Sequence, residues 1–159
     1  MVSIKIKKAM VKDAGHISVM EIVTQEFPLL IDDIKPYAAE EGKVKMALIA
    51  TINNKEVGYV LLLFDMAKRI LYIDGIGVKP PYRLKAVSRR LLNEIVELSV
   101  KRDMVKIQML VPSYTVDDMN DPWNIAGWLL KTDFKAAGII ADGCRRYNRD
   151  YDYYVFEKG

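Results

Sequence analysis

One carboxylate, Asp74, stands inside an otherwise apolar stretch, Ile70-Leu71-Tyr72-Ile73-Asp74-Gly75-Ile76-Gly77-Val78. A charge buried there without a partner would be costly, so Asp74 should be solvated, paired or functional. By a period of two, Tyr72, Asp74 and Ile76 share one face of the strand. A carboxylate partly shielded from water can take a proton from an amine. The competing reading makes it a structural partner for an arginine or for backbone amides. Lys79-Pro80-Pro81 then ends the strand, and Tyr82-Arg83-Leu84-Lys85 leads into a helix with the small residues Ala86 and Ser88 in its first turn. A helix start carries free N–H groups and a positive dipole end, which suit phosphate. Arg83, Lys85, Arg89 and Arg90 add positive charge around the same point. A merely solvated basic connection is the plain alternative.

Other chemistries are poorly supplied. The 159 residues contain one cysteine, Cys144, and one histidine, His16. No intramolecular disulfide or His/Cys zinc clamp can be built from them, and a hydrolase triad would have to use His16, which falls in the first predicted helix, as its base. Lys plus Arg number 24 and Asp plus Glu 21, a net charge of +3, so nothing drives the chain strongly toward nucleic acid or membrane. An apolar share of 51% and a charged share of 28% read as one globular domain over residues 1–159. The N-terminal stretch alternates apolar and basic residues and lacks the apolar run of a signal peptide. With the lone cysteine, this suggests a cytoplasmic protein.

The elements that would position these residues follow from periodicity. Ser3 to Ala9 alternates as a first strand, and Asp13 is a plausible N-cap for a helix from Ala14 to Glu26, ended by Pro28. A shorter helix spans Ile31 to Glu41 with Pro36 inside it. Val44 to Ile52 and Glu56 to Met66 form a hairpin across Asn53-Asn54-Lys55. Ile70 to Val78 is the fourth strand. Val87 to Arg102 is the clearest helix, with Val87, Leu91, Ile95 and Leu98 on one face and Glu97–Lys101 as an outer i, i+4 pair. A fifth strand, Val105 to Val111, is stopped by Pro112. A polar loop follows from Ser113 to Asn120, then a helix from Trp123 to Lys131. Two final strands, Phe134 to Arg146 and Asp150 to Glu157, pair over Asn148-Arg149. The expected fold is α/β (α+β): a mixed, mostly antiparallel sheet of about seven strands flanked by about four helices.

The stretch Val78, Pro80, Arg83, Lys85, Val87, Leu91 and Leu92 resembles the cofactor motif of the GNAT superfamily of acyl-CoA-dependent N-acyltransferases. The order of elements is similar over nearly the whole chain, and Lys131-Thr132-Asp133-Phe134 resembles the family's later Lys-x-Gly-Phe. The family's two motif glycines are Ala86 and Ser88 here. The resemblance implies that acetyl-CoA binds along Ile76, Gly77, Val78, Arg83, Leu84, Lys85, Ala86, Val87 and Ser88. It also implies direct acyl transfer to a primary amine in a ternary complex, with a backbone N–H near Val78 polarising the thioester. Leu129 and Pro122 stand where many members carry a tyrosine and an asparagine, so the resemblance leaves the general acid to another residue; Tyr114 in the preceding loop is the candidate, the plain alternative being that it only packs the loop. Asp74 would be the base or the anchor of a water relay, with Tyr72 beside it.

The acceptor is a small amine, a lysine side chain or a protein N-terminus. Glu26, Asp32, Asp33, Asp117, Asp118 and Asp121 would form an acidic rim suited to a cation. No metal or membrane is expected, and a homodimer stays open. Two other readings remain. One is a GNAT-like module that binds CoA and regulates without catalysis. The other is single-stranded nucleic-acid binding through Arg145 to Tyr154, against which Asp150 and Asp152 argue.

Overall fold

The computed structural model describes residues 3–17, 31–39, 44–79, 82, 86–112, 134–146 and 149–159. The strands are β1 (Ile4–Lys8), β2 (Lys45–Ile52), β3 (Lys55–Asp65), β4 (Ile70–Val78), β5 (Lys106–Pro112), β6 (Lys135–Arg146) and β7 (Arg149–Lys158). They form one seven-stranded sheet in the order β1-β2-β3-β4-β5-β7-β6. Every neighbouring pair is antiparallel except β4 and β5, which run parallel. The α3 helix (Ala86–Lys101) makes that crossover. Residues 14–17 are the described part of α1, and α2 is Ile31–Ala39 with Pro36 inside it. The expected helix over 123–131, the loop over 113–120 and the remainder of α1 lie outside the described residues.

The β2–β3 hairpin turns on two residues rather than three. Asn53 and Asn54 have φ of 52° and 64°. Such a turn matches the strands' twist, and asparagine tolerates the left-handed region. The start of α1 also differs from expectation. A 3-10 turn, Val11–Asp13, comes first, and the Asp13 carboxylate accepts a hydrogen bond from the Met10 N–H at 2.8 Å while Asp13 N–H donates to the Met10 carbonyl at 2.9 Å. Asp13 is thus the third-position acid of a capping box, not the N-cap itself. On α3 an ion pair forms at Arg90–Glu94, 3.5 Å apart, about two turns before the expected Glu97–Lys101, both of which are exposed.

The sheet separates two cores. On one face α3 lays Val87, Leu91, Leu92 and Ile95 onto Val60, Leu62, Phe64, Leu71, Ile73, Ile76 and Val78. On the other, Ile17 of α1 and Ile34 of α2 cover Ala47, Ile49, Tyr59 and Leu61. The α3 helix can seat closely because β3 carries Gly58 beneath its first two turns. A Cβ there would meet the Gly77 carbonyl oxygen at 3.1 Å, Val87 Cγ1 at 3.3 Å and Leu91 Cδ1 at 3.4 Å. Gly58→Ala should therefore destabilise the fold by about 1–3 kcal/mol, through overpacking against a backbone oxygen that cannot rotate away. Gly138→Ala, with nothing within 4 Å, should stay within about 0.5 kcal/mol of the parent. Urea unfolding with an unchanged m-value checks both.

Candidate active site

The strands β4 and β5 begin side by side and then part. Their register runs from Ile70↔Lys106 to Ile73↔Met109, yet β4 continues to Val78 and β5 to Pro112. Past that point β4 stays paired with β3 as far as Gly58↔Val78. β5 stays paired with β7 as far as Pro112↔Tyr153. Each strand follows its outer partner, so the sheet opens between them. Asp74 is the first residue of β4 beyond the last paired position.

Asp74 is also a β-bulge. Ile73 faces Leu62 and Gly75 faces Leu61, and no β3 residue faces Asp74. One extra residue reverses the alternation that follows it. Ile76 and Val78 consequently join Leu71 and Ile73 in the core beneath α3. Gly75 turns the other way, where a Cβ on it would lie 3.5 Å from Leu61 Cδ1 and 3.8 Å from Tyr59 Cε2. Asp74 faces α2. The expectation that Tyr72, Asp74 and Ile76 share one face is therefore corrected. Tyr72, half-buried and between two residues of the α3 core, stays on the Asp74 side, while Ile76 belongs to the opposite side.

The Asp74 carboxylate meets a phenol. Tyr37 of α2 donates its hydroxyl to Asp74 Oδ2 at 2.5 Å, and the Lys45 ammonium lies 5.1 Å from the Tyr37 ring centroid. Asp74 still touches solvent, but neighbouring atoms displace enough of its hydration to hold its carboxyl above the ordinary 3.8. That loss of hydration outweighs the Tyr37 hydrogen bond and the Lys45 charge, which both pull downward. Neither Tyr37 nor Lys45 is legible as a site residue from sequence. They are brought to Asp74 by the docking of α2 and by β2, across separations that no local pattern reports.

At the start of α3, Ala86 is exposed while Val87 and Ser88 are buried. Val87, Ile76 and Val78 put their side chains into the core, so any ligand contact they make runs through the main chain. Ser88 Oγ is buried and has no hydrogen-bond partner. An orphaned hydroxyl costs roughly 1–3 kcal/mol, and an anionic oxygen arriving at this amide-bearing turn would relieve it. Arg89 is exposed, whereas Arg90 is engaged by Glu94. These features fit a phosphate-bearing cofactor. Arg83, Leu84, Lys85 and Tyr114 lie outside the described residues. Tyr59 is a second orphan: its hydroxyl is buried without a partner on the Asp74 side of the sheet. His16, by contrast, has an exposed side chain, with Nδ1 3.1 Å from Glu56 Oε1. Among the described residues no group of acidic, histidine or cysteine side chains could hold a metal, and no helix is long and apolar enough to cross a membrane.

Comparisons with known proteins agree with this geometry. Solved structures similar over nearly the whole chain include the ribosomal-protein-S18-alanine N-acetyltransferase of Escherichia coli, with 17% identity, a TM-score of 0.76, and coverage of 98% of this chain and 92% of that one. Naa50 of Arabidopsis thaliana, solved with the bisubstrate analogue CoA-Ac-MVNAL, gives 20% identity, a TM-score of 0.79 and 99% coverage of both chains. A chimera of the spermidine N-acetyltransferase SpeG from Vibrio cholerae and hSSAT gives 15% identity, a TM-score of 0.74, and coverage of 97% and 93%. At these identities the likeness is one of fold. No curated protein matches the sequence. The model of the acetyltransferase (GNAT) family matches residues 17–122, two-thirds of the chain, and with the sheet that opens at Asp74 it places this protein in the GNAT acetyltransferase family.

Proposed function

We propose that this chain transfers an acetyl group from acetyl-CoA to a primary amine by direct attack in a ternary complex. The observation that carries the reading is the parting of β4 from β5 at Asp74. It sets one carboxylate and the amide-bearing start of α3 at the same end of the sheet. Acetyl-CoA supplies an activated acetyl thioester. The first turn of α3, with Ala86, Val87 and Ser88 and the preceding Arg83, Leu84 and Lys85, holds its diphosphate. Ile76, Gly77 and Val78 line the opening through main-chain atoms.

Asp74 accepts a proton from the incoming ammonium, directly or through a water, because an alkylammonium with a pKa of about 10 is not a nucleophile. The freed lone pair forms the C–N bond as the C–S bond breaks. The departing thiolate takes a proton from a phenol, a role we assign to Tyr114, with Tyr72 of β4 as the second candidate. No acyl-enzyme is required, in keeping with a single histidine and a single cysteine. Structural neighbours acting on a ribosomal-protein alanine and on spermidine support an amine acceptor as the class. We place the reaction in the cytoplasm.

Acetyl-CoA at about 100 times its Kd should stabilise the protein by about 2.7 kcal/mol, read as a higher melting temperature, and Arg83→Glu should abolish the rise. An unchanged melting temperature at saturating cofactor would sink the assignment. A rise without thiol release on any amine would mark a CoA-binding regulator instead.

Asp74→Asn should keep the cofactor-induced rise and lower kcat by about 10²–10⁴-fold. The carboxyl should titrate above 3.8 by carbon-detected NMR. Its folded pKa is raised, so its contribution to stability is present in full below the unfolded value and lost as pH rises through the folded one. The unfolding midpoint of Asp74→Asn should therefore gain on the parent as pH rises through that window. A pH-independent gap would refute the raised pKa.

A further inference from the structure

We propose that Tyr37 is the positioning residue for the Asp74 carboxylate, so that the seat of α2 on the sheet aims the base at the acceptor amine. This rests on the reading of Asp74 as proton acceptor.

The bulge pushes Asp74 out of the β3 ladder and the β5 ladder has already ended, so the flanking strands leave its side chain at the opening. An aspartate in contact with solvent turns freely about two torsions unless something holds it. The Tyr37 hydroxyl does, at 2.5 Å from Oδ2, and among the described residues no other donor bonds to this carboxylate. One oxygen is thereby held, and Oδ1 is left to receive the amine proton. Tyr37 is itself fixed. Its helix is anchored by Ile34, fully buried between α2 and the sheet, and its half-buried ring packs against that same cluster. Its π-face carries the Lys45 ammonium, an attraction that stiffens the ring. The link joins elements 37 residues apart in sequence, α2 and β4, and makes the geometry of the base depend on the docking of the helix.

Among the described residues, the titratable groups on the Asp74 side come from four elements. α2 contributes Tyr37, β2 contributes Lys45, β3 contributes the buried Tyr59 phenol, and β4 itself contributes Tyr72. Of these, Tyr37 and Lys45 favour the ionised carboxylate. Removing the Tyr37 hydroxyl removes a donor to the charged form, so the carboxyl should move further upward and be less often ionised at a given pH.

The test uses Tyr37→Phe, which keeps the ring, its packing and the Lys45 contact, alongside Asp74→Asn and Lys45→Met in the full chain. Thiol release is followed with acetyl-CoA and the best acceptor from an amine panel, as a function of pH. Tyr37→Phe should lower kcat about tenfold or more, the scale of a lost hydrogen bond to a charged group. The KM for acetyl-CoA and the melting temperature should hold. The acid limb of the kcat/KM profile should move to higher pH, and Lys45→Met should move it the same way by less. In the absence of any acceptor, the NMR titration of Asp74 should move upward in Tyr37→Phe; an unmoved titration overturns the proposal. If Asp74→Asn is inactive while Tyr37→Phe keeps the parent's kcat and acid limb, Tyr37 only packs, and this proposal fails by itself. If Asp74→Asn turns over like the parent, the base assignment fails and takes the positioning role with it.

Discussion

The fourth strand must serve two cores at once, and one inserted residue reconciles them. Under strict alternation from Leu71 and Ile73, the next residues beneath α3 would be Gly75 and Gly77, and Ile76 and Val78 would face α2. The bulge at Asp74 shifts the phase so that Ile76 and Val78 are buried instead. Burying two such side chains contributes about 1.5–3 kcal/mol each, ample to select the irregular register over the regular one. The expelled residue lands at the opening between β4 and β5 with a carboxylate on it. The core beneath α3 therefore fixes where the site's charge stands.

The same economy governs the other wall of the opening. The family pattern has glycines in the helix start, and this chain has Ala86 and Ser88 there. The close approach is made from below, by Gly58 of β3, which lets Val87 and Leu91 come down onto the strand and reach the Gly77 carbonyl's neighbourhood. The helix keeps its good propensity through Ala86, and its first turn gains a buried hydroxyl with no partner in the protein. A fold that only needed to pack would have little reason to retain an unsatisfied oxygen at a helix start.

Much of this was legible in the sequence, and the misses share a cause. Strand β4 was read with its observed bounds because its apolar density is high and proline follows it. The hairpin over Asn53 and Asn54 was read from turn chemistry, which the positive φ angles bear out. The bulge leaves a trace in the sequence: the apolar positions 71, 73, 76 and 78 slip phase once, which a single period of two does not follow. Met10 carries no side-chain sign of an N-cap, so the sequence points three residues on to Asp13, and only the bonds between Met10 and Asp13 reveal the start of the turn. Arg69 and Asp103 adopt φ of 57° and 60° without a glycine to announce it. They are held by Arg69 Nη2 to Asp103 Oδ1 at 2.8 Å and by Arg69 Nε donating to the Asp103 carbonyl at 2.9 Å. Tyr37 against Asp74 belongs to this class of contact, set by how helices and strands dock and silent in any local window.

The balance of forces on Asp74 suits a base for an ammonium. A freely hydrated carboxylate near 3.8 lies so far below an alkylammonium near 10 that proton transfer to it is strongly uphill. Loss of hydration narrows that gap by disfavouring the charged form. Here the phenol of Tyr37 and the charge of Lys45 oppose the dominant effect without cancelling it. The net effect is an upward shift, smaller than loss of hydration alone would give. Separate elements supply the opposing pulls, so a shift of α2 would change the strength of the base along with its aim. On the proposed reading of Asp74 as the base, its strength and its aim both depend on how α2 sits on the sheet.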